Sequence, residues 1–169
     1  MIILDTNVVS ELMKPAPYAA VIDWLDRQSR RDLSTTSITK AEVLYGVARL
    51  PEGRRKAALA TEAERMFRDD LPAPLFPFDD SAAAHYAAIL DARRRAARPM
   101  TTLDAQIAAI ALAAGASVAT RNVDDFTGCG VAIVNAVMDA LAPVSVKYFD
   151  MPATSARIWQ AMADVYRDA

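Results

Sequence analysis

The sequence predicts a three-layer α/β domain, with a central parallel sheet of about five short strands flanked by helices. Three observations lead there. Ile2-Ile3-Leu4 is a wholly apolar run ending in Asp5, the pattern of a strand covered on both faces rather than one with a wet side. Further short runs of this kind alternate with segments of helical periodicity, the order that builds a parallel sheet through helical crossovers. At 169 residues the chain is long enough for one domain with a substantial core.

After the first strand a helix is expected from about Asn7 to Met13, closed by Pro15 and Pro17. Tyr18 to Arg30 has helical spacing, with Val21, Ile22, Trp24 and Leu25 apolar among Asp23, Asp26 and Arg27. Leu33 to Thr36 reads as the second strand and leads through Ser37 into a helix carrying Glu42. Pro51-Glu52-Gly53 ends that helix, and a charged one follows from about Arg54 to Arg68. Leu75 to Phe78 is a third strand, kept to an edge or an end by Pro77, which has no N–H to donate. Asp79 or Asp80 caps a helix reaching about Ala97. Thr102 to Ala114 is helical with Gly115 as its stop, Val118 to Thr120 is the fourth strand, and Val131 to Val134 the fifth.

Composition narrows the chemistry. A net charge of −2 provides no global field for a polyanion, so nucleic-acid contact would rest on local basic clusters. Arg54-Arg55-Lys56 and Arg93-Arg94-Arg95 with Arg98 are such clusters, or else they coat the wet faces of two helices. One cysteine, Cys129, and one histidine, His85, fall short of a zinc site, which takes about four such ligands. Both read as structural. A lone cysteine fits a reducing, cytoplasmic setting. The first residues lack the pattern of a secretion signal, and no apolar stretch suffices to span a bilayer.

Four acids stand where strands or loops give way to helices: Asp5, Glu42, Asp104 and Asp125. Each has a purely local explanation. Thr39-x-x-Glu42 and Thr101-x-x-Asp104 have the form of capping boxes, and Asp5 and Asp125 sit where a helix start favours negative charge. The alternative is collective. Ligands of an open α/β sheet gather beyond the carboxyl ends of its strands, at the switch point of strand order, where one fold can bring all four acids together. Converging carboxylates need a cation among them. A donor set of oxygens alone selects Mg²⁺ or Mn²⁺.

The order and spacing of Ile2-Ile3-Leu4-Asp5-Thr6-Asn7, of Thr39 to Val47 with Glu42 before Tyr45-Gly46, of Asp104-Ala105-Gln106-Ile107-Ala108, and of Thr120-Arg121-Asn122 with Asp125-Phe126 resemble the PIN-domain family, and within it the VapC-type toxins of bacterial toxin–antitoxin pairs. The likeness spans residues 1–136. It implies an Mg²⁺-dependent endoribonuclease that leaves a 5′-phosphate and a 3′-hydroxyl, a homodimer, and a VapB-like antitoxin that holds it inactive. It also implies Asp5 and Asp104 as metal ligands, with Glu42 and Asp125 acting directly or through water. Thr6, Asn7 and Asn122 take supporting roles. Many relatives place an aspartate where this chain has Asn122; an amide offers an oxygen but no charge, which bears on metal affinity or on a second metal. Asp125 rather than Asp124 is the expected acid, because Phe126 beside it would anchor the turn.

Two rival functions remain. A PIN fold that binds without cutting is compatible with Asn122. A phosphatase of the haloacid dehalogenase type also opens on an apolar strand and an aspartate, but its second acid would fall at Asn7. Residues 137–169 form an extension beyond the resemblance, with an amphipathic helix expected from Thr154 to Tyr166 on the spacing of Ile158, Met162 and Val165.

Overall fold

A computed structural model describes residues 1–71 and 75–135; the extension and its expected helix lie outside the described residues. Within them, β1 (Ile2–Leu4), β2 (Leu33–Ser34), β3 (Ser117–Thr120) and β4 (Ile133–Asn135) form one wholly parallel sheet of order β2-β1-β3-β4. The segment expected as the third strand joins through a single parallel bridge, Thr36 to Phe76. Phe76 exchanges hydrogen bonds with Thr35 and Ser37, and Pro77 has no N–H with which to continue the ladder.

Seven α-helices surround the described sheet: α1 (Thr6–Leu12), α2 (Ala19–Asp26), α3 (Ser37–Ala48), α4 (Arg54–Arg65), α5 (Asp80–Arg95), α6 (Thr102–Ala113) and the single turn α7 (Val123–Phe126). The second helix is shorter than its periodicity suggests, because the chain leaves α2 at Arg27 and makes a 3-10 turn over Arg30–Asp32. The charged helix α4 runs on into a π-helical turn, Met66–Asp70.

Strand periodicity explains the three layers. Successive residues of a strand face opposite sides of the sheet. Leu4 and Ala119 accordingly join a core made with α1 to α4, around Val8, Val21, Trp24, Val43 and Leu59. Ile3 and Val118 join a second core made with α5 to α7, around Ile89, Ile107, Ile110 and Phe126. Alanines at 105, 108, 109 and 111 let α6 lie close against the sheet, and all four are fully buried.

The register Ile2↔Leu33, Leu4↔Ala119 and Thr120↔Asn135 brings the carboxyl ends of the strands level. The chain leaves β1 toward β2 and later returns to place β3 on the other side of β1. The switch point therefore lies between the ends of β1 and β3, where Asp5 and Thr120 stand.

Candidate active site

Asp5 is the N-cap of α1 and is only 3 % exposed. Its Oδ1 accepts from the Thr6 amide at 2.5 Å, and its Oδ2 from the Asn7 side-chain amide at 2.6 Å and the Thr120 hydroxyl at 2.9 Å. Capping and clustering thus coincide in one side chain. Thr120 ties the two strand ends together. While donating to Asp5, its oxygen accepts from Asn7 Nδ2 and from the Asn122 amide, each at 2.9 Å. Asn7 completes the tie by accepting from the Arg121 amide at 3.0 Å.

Glu42 is not part of a capping box. The N-cap of α3 is Thr36, which accepts from the Thr39 amide at 3.0 Å, so Glu42 falls in the second turn, beyond reach of the helix end. Its carboxylate instead accepts from the Thr6 hydroxyl at 2.6 Å, joining α3 to α1 beside Asp5. Asp104 does keep its local partner. Thr101 caps α6 by accepting from the Asp104 amide at 3.1 Å and returns its own hydroxyl to Asp104 Oδ2 at 2.6 Å. Asp125 lies in α7, half-buried, and accepts from the Asn122 side-chain amide. Asp124 is exposed and Phe126 buried, as the sequence predicts.

The four carboxyls share one electrostatic environment. Burial pushes Asp5 up to about 8, reinforced by Asp104 and Glu42 and opposed by the hydrogen bonds from Thr120 and Thr6. Burial also raises Glu42, against the Thr6 hydrogen bond and with help from Asp104. It raises Asp104, opposed by Thr101 and by the charge of Arg93, and it raises Asp125, with help from Asp104 and opposition from Arg93. The acids therefore titrate as a coupled group, in which the charge of one raises another.

This is a site short of positive charge, with oxygen donors only, and it suits a hard divalent cation. Among the described residues, no three acids, histidines or cysteines stand close enough to form a finished coordination shell. The carboxylates feel one another's fields without touching a common point. Mg²⁺ tolerates that arrangement, because it keeps several of its waters and takes only one or two carboxylates directly.

The profile of the PIN domain matches residues 2–127, three-quarters of the chain, which takes in the ends of β1, β2 and β3 and all four acids. The chain belongs to the PIN domain family. Its sequence is 37% identical to VapC ribonuclease Y4jK of Sinorhizobium fredii over 135 residues, which is 80% of this chain and 96% of that protein. It is 36% identical over 135 residues to toxin FitB of Neisseria gonorrhoeae, covering 80% of this chain and 97% of FitB. The crystal structure of FitAcB from Neisseria gonorrhoeae superposes with a TM-score of 0.72 at 37% identity, covering 80% of this chain and 98% of that one. The α/β architecture read from the sequence is thus that of a PIN domain.

Within this PIN domain, sequence reasoning overlooked two residues of the site's surroundings. Thr120 ends the β3 run, where a hydroxyl at the switch point is a natural tether. Arg93 belongs to the arginine cluster expected on a wet helix face or against nucleic acid, yet it is buried. The signal was its place in the stripe Ala82, Ile89, Arg93 along the buried side of α5. Arg94 and Arg95 are exposed and pair with Asp91, and Lys56 pairs with Glu52. Cys129 is buried against Met100 and the Asp125 carbonyl, a structural position, and His85 lies half-buried on α5. No helix among the described residues is long and apolar enough to cross a membrane.

Proposed function

We propose that this chain is a VapC-type toxin, an Mg²⁺-dependent endoribonuclease that hydrolyses RNA phosphodiesters in the cytoplasm, forms a homodimer and is neutralised by a cognate VapB-like antitoxin. The observation that carries the nuclease reading is the gathering of Asp5, Glu42, Asp104 and Asp125 around the β1/β3 switch point, with every carboxyl held above its ordinary range. The toxin and its partner rest on the likeness to VapC ribonuclease and toxin FitB.

Asp5 and Asp104 are the proposed direct ligands, with Glu42 and Asp125 reaching through water. A bound Mg²⁺ supplies charge to polarise a phosphate oxygen and to acidify a water molecule. The chain supplies orientation. Three donors fix both oxygens of Asp5, the Thr6 hydroxyl aims Glu42, and Thr101 aims Asp104. In this reading Glu42, half-buried and raised, takes a proton from the water that attacks phosphorus while the 3′-oxygen leaves, giving a 5′-phosphate and a 3′-hydroxyl.

The test is cleavage of a mixed panel of tRNA, ribosomal RNA and messenger fragments by the purified chain, with EDTA and with Mg²⁺ or Mn²⁺ restored. Cleavage should need the metal and vanish in Asp104→Asn. Metal-independent cleavage, or cleavage by Asp104→Asn at the wild-type rate, refutes the assignment. A PIN domain that binds RNA without cutting is the second reading, favoured by the neutral Asn122 whose amide already occupies Asp125. Metal-dependent RNA binding without any product would select it.

A further inference from the structure

Glu11 is a further buried acid, outside the cluster around Asp5. It stands in the last turn of α1, 3 % exposed. Its Oε1 accepts from the Tyr18 amide at 2.9 Å, while its Oε2 accepts from Lys14 Nζ at 2.7 Å and from Arg121 Nη1. One negative charge thus faces two positive ones. A buried carboxylate requires a partner, but a single cation meets that need, and the second leaves positive charge in excess.

The excess lies beside the acid site. Arg121 follows Thr120 at the end of β3; its amide donates to Asn7 Oδ1 at 3.0 Å, and Asn7 Nδ2 donates to Asp5 Oδ2 at 2.6 Å. Asn7 and Glu11 are four residues apart on α1, about 6 Å along its axis. That is the rise of one or two nucleotides in a stacked strand, at about 3.4 Å each. Lys14 and Arg121 keep 19 % and 12 % of their side chains open to solvent. Each has donors to spare beyond the one given to Glu11, so both can reach a phosphate oxygen without releasing it.

Charge explains why such a group is needed. The chain is net negative and its site is made of acids, so no general field draws a polyanion in. The basic runs of the sequence are poorly suited to aim a strand. Lys56 pairs with Glu52, and Arg94 and Arg95, which share Asp91, are 78 % and 73 % exposed, where holding a long side chain in one direction costs entropy. Lys14 and Arg121 are already aimed by Glu11.

We propose that Lys14 and Arg121, gathered on Glu11, are positioning residues that hold a backbone phosphate of the RNA one or two nucleotides from the bond to be cut. This rests on the nuclease reading of the acid site and adds to it where the strand is gripped.

The test is binding of a fluorescein-labelled single-stranded RNA of mixed sequence to the full chain in EDTA over a series of salt concentrations, with cleavage of the same RNA in Mg²⁺. In Lys14→Gln or Arg121→Gln the remaining cation is neutralised by Glu11. Each variant should therefore lower the slope of log K against log salt by about 0.7 and weaken binding about fivefold at 0.1 M salt. KM should rise by the same factor with kcat within about twofold, and Lys14→Arg should behave as wild type. A merely structural tie gives another pattern, since a loosened β3 end would lower kcat and leave the salt slope alone. An unchanged slope in Lys14→Gln, or a fall in kcat at constant KM, overturns the proposal. If Arg121→Gln does not fold, Lys14→Gln and Lys14→Arg still decide. A wild type that never cuts RNA, with the slope falling in Lys14→Gln, refutes the nuclease reading and leaves this one standing; a wild type that cuts with metal, matched by Lys14→Gln in binding and KM, does the reverse.

Discussion

Replacing Asp5 by asparagine should make the metal-free protein more stable at neutral pH while abolishing its cleavage of RNA. The folded chain holds the Asp5 proton from the ordinary value of 3.8 up to about 8, a range in which the unfolded chain has lost it. Stability from this group is therefore complete below pH 3.8 and is lost as pH rises toward 8. Each pH unit in that window costs the wild type about 1.4 kcal/mol, so the penalty reaches about 4 kcal/mol at pH 7, as an upper bound. Asparagine removes that penalty but keeps only one acceptor oxygen, which leaves at least one of the donors Thr6 N, Asn7 Nδ2 and Thr120 Oγ1 facing an N–H. Losing such a bond in a buried place costs about 1–3 kcal/mol. The variant should therefore gain about 1–3 kcal/mol at pH 7 and match wild type near about pH 5. Urea unfolding in EDTA across this range measures it. Mg²⁺ should then reverse the order, because an ion that binds only the folded wild type adds about 2.7 kcal/mol at a hundred times its Kd. An Asp5→Asn protein less stable than wild type at every pH in EDTA would refute the reasoning, since the buried carboxyl would then carry no charge penalty.

Glu42→Gln can still accept the Thr6 hydroxyl, so it should fold normally and lose about 100-fold or more in cleavage rate; unchanged turnover in a fluorogenic RNA assay would remove Glu42 from the chemistry. Asn122→Asp adds charge beside Asp125 and should tighten Mn²⁺ binding, whereas Asp125→Ala should weaken it; calorimetry showing wild-type affinity in Asp125→Ala would reduce Asp125 to a turn residue. Glu11 is buried and accepts from Lys14, from the Tyr18 amide and from Arg121. Burial pushes its carboxyl up, but Lys14, Tyr18 and Arg121 together hold it below the ordinary range, so its stabilisation is present above pH 4.5 and lost as pH falls. Glu11→Ala should cost about 3–5 kcal/mol at pH 7 and less at pH 3.5, read by urea unfolding at both.

The sheet and its helices were legible because apolar runs and helical spacing are local patterns, and the three-layer reading needed only their alternation. The exceptions have local causes of their own. Pro77 shortened a strand to one bridge, and the chain turned out of α2 before its apolar spacing ended. The acids were visible, but their partners were not. Thr39-x-x-Glu42 satisfies the capping pattern, and only the position of Thr36, three residues upstream, shows that Glu42 is free to reach Thr6. Arg93 was hidden by its own neighbours, since three successive arginines look alike until helix rotation puts one of them inside. Glu11 was hidden because α1 is buried nearly all round and offers no wet face from which an inward acid would stand out.

The Thr120 tether has a consequence for how the protein comes into being. Thr120 is 115 residues from Asp5 in sequence, and its hydroxyl donates to Asp5 across the strand ends. Contacts of such long separation form late, after the closure of a large loop has been compensated by the pairing of β1 with β3. A chain emerging from the ribosome therefore carries its first three helices for most of its synthesis with Asp5 held only by its neighbours Thr6 and Asn7. The acid cluster is assembled only once β3 is released and docks beside β1. In a protein proposed to cut RNA, that delay separates the making of the chain from the making of its active site.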